Sequence, residues 1–122
     1  MAITVEGRRT EFATVLQVVG RLDGGTAGEF EQICRRWIAP GDRNMVLDFS
    51  GVEYISSAGL STVLAAGKAM DAQRGRLLLC GLAPRMRQVF LFSGFDALFP
   101  LFDTFEEAIA DCKRNRSEPD FL

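Results

Sequence analysis

The stretch that most constrains the fold is residues 44–70, NMVLDFSGVEYISSAGLSTVLAAGKAM, in which an apolar strand passes through a short turn and a serine pair straight into a helix. Met45, Val46, Leu47 and Phe49 make the strand half nearly continuously apolar, as in a strand covered on both faces or central in a parallel sheet. Ser50 and Gly51 are expected to interrupt it. Beyond Ser56 and Ser57, residues Leu60, Val63, Leu64, Gly67 and Met70 recur at spacings of three and four and mark the buried face of an amphipathic helix. One of the two serines is therefore expected to be the N-cap. Its hydroxyl would face the unpaired N–H groups of the first turn, which also form a ready anion site.

Composition bounds what such a junction can be. A chain of 122 residues is expected to form one domain, over residues 1–115, large enough for a core without disulfides or metals. A net charge of −2, a pI near 5.1 and scattered Lys and Arg give no electrostatic footprint for a nucleic-acid partner. No apolar run reaches membrane-spanning length and MAITVEGRR lacks a signal-peptide pattern, so direct membrane insertion is not expected and the cytoplasm is the expected location. Cys34, Cys80 and Cys112 are odd in number, far apart and without a CxxC pair, which suits small buried hydrophobes rather than a disulfide framework or zinc site. There is no histidine, which removes the commonest general base, the Ser-His-Asp triad and the commonest metal ligand. No catalytic residue, metal ligand or cofactor is expected.

Taken in order, the chain predicts a hairpin: a strand over residues 2–6, a turn at Gly7-Arg8-Arg9-Thr10, and a second strand over residues 12–19 ending at Gly20. Residues 20–25 read as a loop, and Thr26 with Glu29 reads as the S/T-x-x-E capping box of a helix whose core face is Phe30, Ile33, Cys34, Trp37 and Ile38. Pro40-Gly41-Asp42 stops that helix, Gln73-Arg74-Gly75 closes the next, and residues 76–80 form a further buried strand, parallel to the central one because a helix separates them. A short helix from Pro84 to Phe92 ends at Ser93-Gly94. Thr104 and Glu107 repeat the capping box ahead of a stripe of Phe105, Ala108, Ile109 and Cys112. The rings and aliphatics between Phe90 and Phe102 are expected to pack in the core rather than to form an exposed patch. Residues 116–122 are expected to be a frayed tail. The fold class is α/β, with a mixed sheet of four or five strands and about four helices.

Several motifs in this order resemble those of a STAS domain, and within that family the free-standing bacterial anti-sigma factor antagonists. They are Gly20-Arg21-Leu22-Asp23, the block from Leu47 to Val52 followed by Ile55-Ser56-Ser57-Ala58-Gly59-Leu60, Phe92-Ser93-Gly94-Phe95 with Leu98-Phe99, and Phe105-Glu106-Glu107-Ala108. Each motif alone is weak; their ordered combination is fairly specific. The resemblance implies a non-enzymatic switch. The unmodified protein would bind an anti-sigma factor that is also a serine kinase, free the sigma factor, then be phosphorylated at a serine heading the second helix and reset by a phosphatase. Residue by residue, the phosphoacceptor falls on Ser57, with Ser56, Ser57, Gly59 and Asp23 as partner-binding residues. An acidic residue often precedes that serine in the family; here the position is Ser56.

Three other classes compete with the switch. A serine hydrolase would need a glycine where Ile55 stands in a G-x-S-x-G elbow, and a histidine. Nucleotide binding would need phosphate-loop spacing that neither Gly67-Lys68 nor residues 20–25 provide. The remaining alternative is a STAS interaction module in another assembly, such as a stress-signalling scaffold or an accessory subunit of a lipid transporter, using the same surface without phosphorylation. Periodicity alone leaves Ser57 as a plain N-cap; the resemblance is what gives it a functional role.

Overall fold

The computed structural model describes residues 3–115. Five strands form one sheet in the order of the chain: β1 (Ile3–Arg9), β2 (Thr14–Leu22), β3 (Asn44–Ile55), β4 (Arg76–Cys80) and β5 (Leu101–Phe102). β1 runs antiparallel to β2, and every later neighbour is parallel. Parallel neighbours require crossovers. Helices α1 (Ala27–Trp37), α2 (Ser57–Ala72) and α3 (Pro84–Phe92) supply them, and α4 (Phe105–Asn115) follows β5. The mixed sheet with four α-helices is the architecture the sequence predicts.

The apolar run in β3 follows from burial on both sides. Met45, Leu47 and Phe49 join Leu16, Val18 and Leu22 of β2 in a core that also holds Phe30 of α1, Val63 and Met70 of α2, and Phe90 of α3. Val46 points the other way, into a smaller cluster with Val15, Leu78, Cys80, Ala108 and Cys112, where α4 covers the sheet. Alternate residues of one strand therefore feed two cores. All three cysteines are free and buried, as small hydrophobes. In the larger core Phe30, Phe49, Phe90, Phe95 and Phe99 make consecutive edge-to-face pairs with centroids 5.4–6.4 Å apart. The Phe-rich segment divides accordingly: Phe90, Phe95 and Phe99 pack as expected, whereas Phe92 is 89% exposed and Leu98 58% exposed.

Three local expectations are corrected. The hairpin turn does not fall on Gly7 to Thr10. β1 runs on to Arg9, and the turn is built by Thr10, whose hydroxyl accepts the N–H groups of Phe12 (3.1 Å) and Ala13 (3.0 Å). Gly7 sits inside the strand because the Trp37 ring lies where its Cβ would be, 2.3 Å away. Second, neither Gly20 nor Ser50-Gly51 ends a strand: β2 continues to Leu22 and β3 to Ile55, with register shifts between Gln17 and Val19 and between Gly20 and Arg21. The glycines are the sites of irregularity. Gly20 takes φ +117°, and a Cβ on Gly51 would lie 2.7 Å from Val19 Cγ2 and 3.0 Å from the Val18 carbonyl oxygen. Third, Thr26 stands at the N-cap position of α1 without capping it, because its hydroxyl instead donates to the Arg21 carbonyl (2.7 Å) and accepts the Asp23 N–H (3.0 Å).

The second capping box does form: Thr104 Oγ1 accepts the Glu107 N–H at 3.1 Å, and Glu107 Oε1 accepts the Thr104 N–H at 3.3 Å. Ala2 and the tail at 116–122 lie outside the described residues. Among the described residues no helix is long and apolar enough to cross a membrane.

Candidate functional site

The extensions of β2 and β3 beyond β4 carry the junction between β3 and α2. Ser56, the first residue after β3, donates its N–H to the Leu22 carbonyl at 2.9 Å and so ties the head of α2 to the last residue of β2. Its backbone is extended (φ −101°, ψ 176°), its carbonyl accepts the Leu60 N–H at 2.9 Å, and its hydroxyl accepts the Gly59 N–H at 3.3 Å. Ser56 is the N-cap.

Ser57 is thereby relieved of capping. It is the first residue of α2 and exposed; its carbonyl accepts the Ser61 hydroxyl at 3.1 Å, while its own hydroxyl takes no part in the cap. The first turn of α2 holds no acidic residue, so the positive end of the helix is not offset from within the helix. Gly59 is buried beneath that turn. A Cβ there would lie 2.5 Å from the Leu22 carbonyl oxygen and 2.8 Å from Ile55 Cγ1. Glycine lets the helix head sit directly on the strand ends.

Asp23 follows β2 immediately. Its Oδ1 accepts the Gly25 N–H at 2.9 Å, fixing the turn into α1, and its Oδ2 lies 3.6 Å from Arg21 Nε. The ladder pairs Leu22 with Ile55, so one further step sets Asp23 beside Ser56. Ser56, Ser57, Gly59 and Asp23 are thus brought together at one end of the sheet. Asp48 is elsewhere in β3 and plays a local part, its Oδ1 accepting the Ser50 N–H at 3.0 Å.

Sequence reasoning missed Arg21 and Tyr54. They are cross-strand partners, with the guanidinium carbon 4.4 Å from the centroid of the half-exposed Tyr54 ring. The loop expected over residues 20–25 concealed this pair, since both residues must be in strands to face each other. Chemically the end of the sheet presents an exposed primary hydroxyl, that of Ser57, at a helix head tied to the end of β2. Such a hydroxyl can accept a phosphoryl group and can be read by a partner surface.

The comparisons with known proteins agree with this geometry. The family model for the STAS domain matches residues 3–108. BtrV of Bordetella bronchiseptica, assigned as an anti-sigma factor antagonist, is 38% identical over 94 residues, which cover 77% of this chain and 81% of BtrV. The crystal structure of an anti-sigma factor antagonist from Mycobacterium paratuberculosis superposes with a TM-score of 0.83 at 27% identity, covering 91% of this chain and 94% of that one. The phosphorylated form of the Bacillus cell fate determinant SpoIIAA superposes with a TM-score of 0.69 at 26% identity, covering 88% and 98% of the two chains. The chain belongs to the STAS domain family.

Proposed function

We propose that this chain is an anti-sigma factor antagonist, acting in the cytoplasm, whose unphosphorylated form binds an anti-sigma factor and whose binding is switched off by phosphorylation of Ser57. The observation that carries this reading is the division of labour between the two serines. Ser56 caps the helix and Ser57 stands exposed beside it, so the second hydroxyl can be modified without uncapping α2. The likeness to BtrV and to a phosphorylated SpoIIAA supports the same reading. Asp23 and Ser56 border the contact, and Gly59 contributes by seating the helix head closely.

In the forward step the anti-sigma factor, acting as a serine kinase, transfers the γ-phosphoryl group of ATP. A bond forms from Ser57 Oγ to phosphorus, the bond from phosphorus to the β–γ bridging oxygen breaks, the hydroxyl proton leaves and ADP departs. In the reverse step a phosphatase uses water to return the hydroxyl and release inorganic phosphate. The added charge of about −1.5 to −2 lies at a helix N-terminus, where it gains roughly 0.3–2 kcal/mol, so the fold tolerates it. Buried against a partner without a counter-charge, the same group costs on the order of 2–5 kcal/mol, which lowers affinity about 30-fold or more.

The test is calorimetric titration of the purified anti-sigma factor kinase encoded in the same genome with wild-type, Ser57→Ala and Ser57→Asp protein. Wild type and Ser57→Ala should bind alike and Ser57→Asp at least tenfold more weakly, with unchanged circular dichroism. Equal binding by all three would remove the switch.

A further inference from the structure

The end of the sheet where β3 and β4 begin, opposite Ser57, concentrates positive charge. Arg43, Arg74 and Arg76 line a cavity of about 150 Å³ there with the amides of Asn44 and Asn115, and among the described residues no carboxylate lines it. Behind it Asp111 holds Arg76 at 2.7 Å and shares its other oxygen with Arg114 at 3.4 Å. Arg74 is the one non-glycine residue among those described with a positive φ, +65°. It follows the C-cap of α2, its N–H on the Asp71 carbonyl (2.9 Å) and the Gly75 N–H on the Met70 carbonyl (2.8 Å). Glycine takes that left-handed position without strain and is its usual occupant, so an arginine kept there points to a use for its side chain. Arg76 also borders an apolar groove of about 370 Å³ lined by Leu64, Gly67, Leu77, Leu98, Phe99 and Pro100. Phe99 fills the notch at Gly67, whereas Leu98 is exposed.

Asn115 lines the cavity, and from it the sequence continues Arg116-Ser117-Glu118-Pro119-Asp120-Phe121-Leu122. Connectivity alone keeps Glu118, Asp120 and Phe121 within roughly 11, 18 and 22 Å of Asn115. The acids come first and the apolar pair after, in the order of the cationic cavity and the apolar groove that Arg76 joins. We propose that this cavity and groove are the docking site of the chain's own residues 118–122, with the Glu118 and Asp120 carboxylates on the arginines and Phe121 with Leu122 in the groove. Carboxylates match the planar guanidinium fork. Each exposed ion pair is weak alone, but a short tether raises the effective concentration to the millimolar range, and burial of Phe121 and Leu122 over Leu98 adds to it. Ser57 heads α2 and this site lies towards its other end, about 24 Å along a helix of 16 residues, so the inference stands apart from the phosphorylation reading.

The test is NMR of the isotopically labelled full-length chain at low ionic strength. Nuclear Overhauser contacts should join the Phe121 ring to the methyl groups of Leu64 and Leu98, a readout that needs no variant. Reversing both acids (Glu118→Lys with Asp120→Lys) should abolish these contacts and move the Leu98 methyl signals to the positions they take in Phe121→Ala. A sample mixed from labelled and unlabelled protein then tells which chain supplies the ring: contacts should arise within one chain. Contacts found only between a labelled and an unlabelled copy would give the groove to a second molecule and overturn the proposal. So would the absence of contacts in wild type, which would leave the groove to a different partner, or contacts undiminished by the double charge reversal.

Discussion

Two glycines in helical first turns should respond to alanine with opposite signs. Gly28 of α1 has nothing within 4 Å of an added Cβ, so Gly28→Ala brings only the gain in helix propensity and the loss of unfolded-state freedom, about 0.5–1 kcal/mol of stabilisation. Gly59 of α2 would gain a similar amount in isolation. Its Cβ, however, would stand 2.5 Å from the Leu22 carbonyl oxygen, a backbone atom that cannot swing aside as a side chain can. That same oxygen accepts the Ser56 N–H at 2.9 Å, so relieving the clash stretches the bond that ties the helix head to β2. Overpacking costs roughly 1–3 kcal/mol and the strained hydrogen bond about 1 kcal/mol more. The net for Gly59→Ala is a loss of about 1–3 kcal/mol. Urea unfolding should show the two midpoints moving apart with unchanged slopes, and thermal melts should separate by several degrees. Stabilisation of both variants by the same amount would refute the close seating of α2 on the strand ends.

Other outcomes follow from the same geometry. Ser56→Ala should cost about 1 kcal/mol in urea unfolding while Ser57→Ala costs close to nothing; the reverse ranking would assign the cap to Ser57. Asp42 is pulled upward by burial, but the Ala39 N–H, the hydrogen bonds and charge of Arg9 and the Thr14 hydroxyl outweigh it, so its carboxyl titrates below the usual range. A depressed carboxylate stabilises the fold above its unfolded pKa and loses that contribution as pH falls through its folded pKa. Asp42→Asn should therefore lower stability near pH 7 and flatten the acid limb below about pH 4, read from urea midpoints across pH. Burial pushes the thiols of Cys34 and Cys80 up to about 12 and that of Cys112 to about 11, and all three side chains are enclosed. A thiol reagent at pH 8 should label none in the native protein and all three in urea; rapid native labelling would contradict the two-core packing.

Much of the fold was legible because its strongest signals are periodic. The run at 45–49 announces a strand buried on both faces, and the spacing from Leu60 to Met70 announces α2. The Thr104–Glu107 box forms as written. Thr26–Glu29 has the same letters and does not form, because the Thr26 hydroxyl is claimed by the backbone of Arg21 and Asp23, partners supplied by the end of β2. Glycine misled in a consistent way. Gly7, Gly20 and Gly51 resemble strand ends in sequence, yet each lies within a strand, at a ring packed across it or at an irregularity in the ladder. What a glycine accommodates is set by residues distant in the chain, such as Trp37 and Val19, and periodicity does not carry that information. The site shows the same limit. Ser56 and Ser57 could be placed at a helix start, but which one caps was decided by the Leu22 carbonyl, and Arg21 met Tyr54 only once the ladder ran past Gly20.

The proposed switch is tested most directly by mass spectrometry of the protein incubated with ATP and lysate from its own cells, with Ser57→Ala alongside. A single added phosphate that maps to Ser57 and is absent from the variant is the predicted result. Phosphate retained in Ser57→Ala, or none in lysate whose kinase is demonstrably active, would contradict it and favour a STAS module that binds its partner without modification.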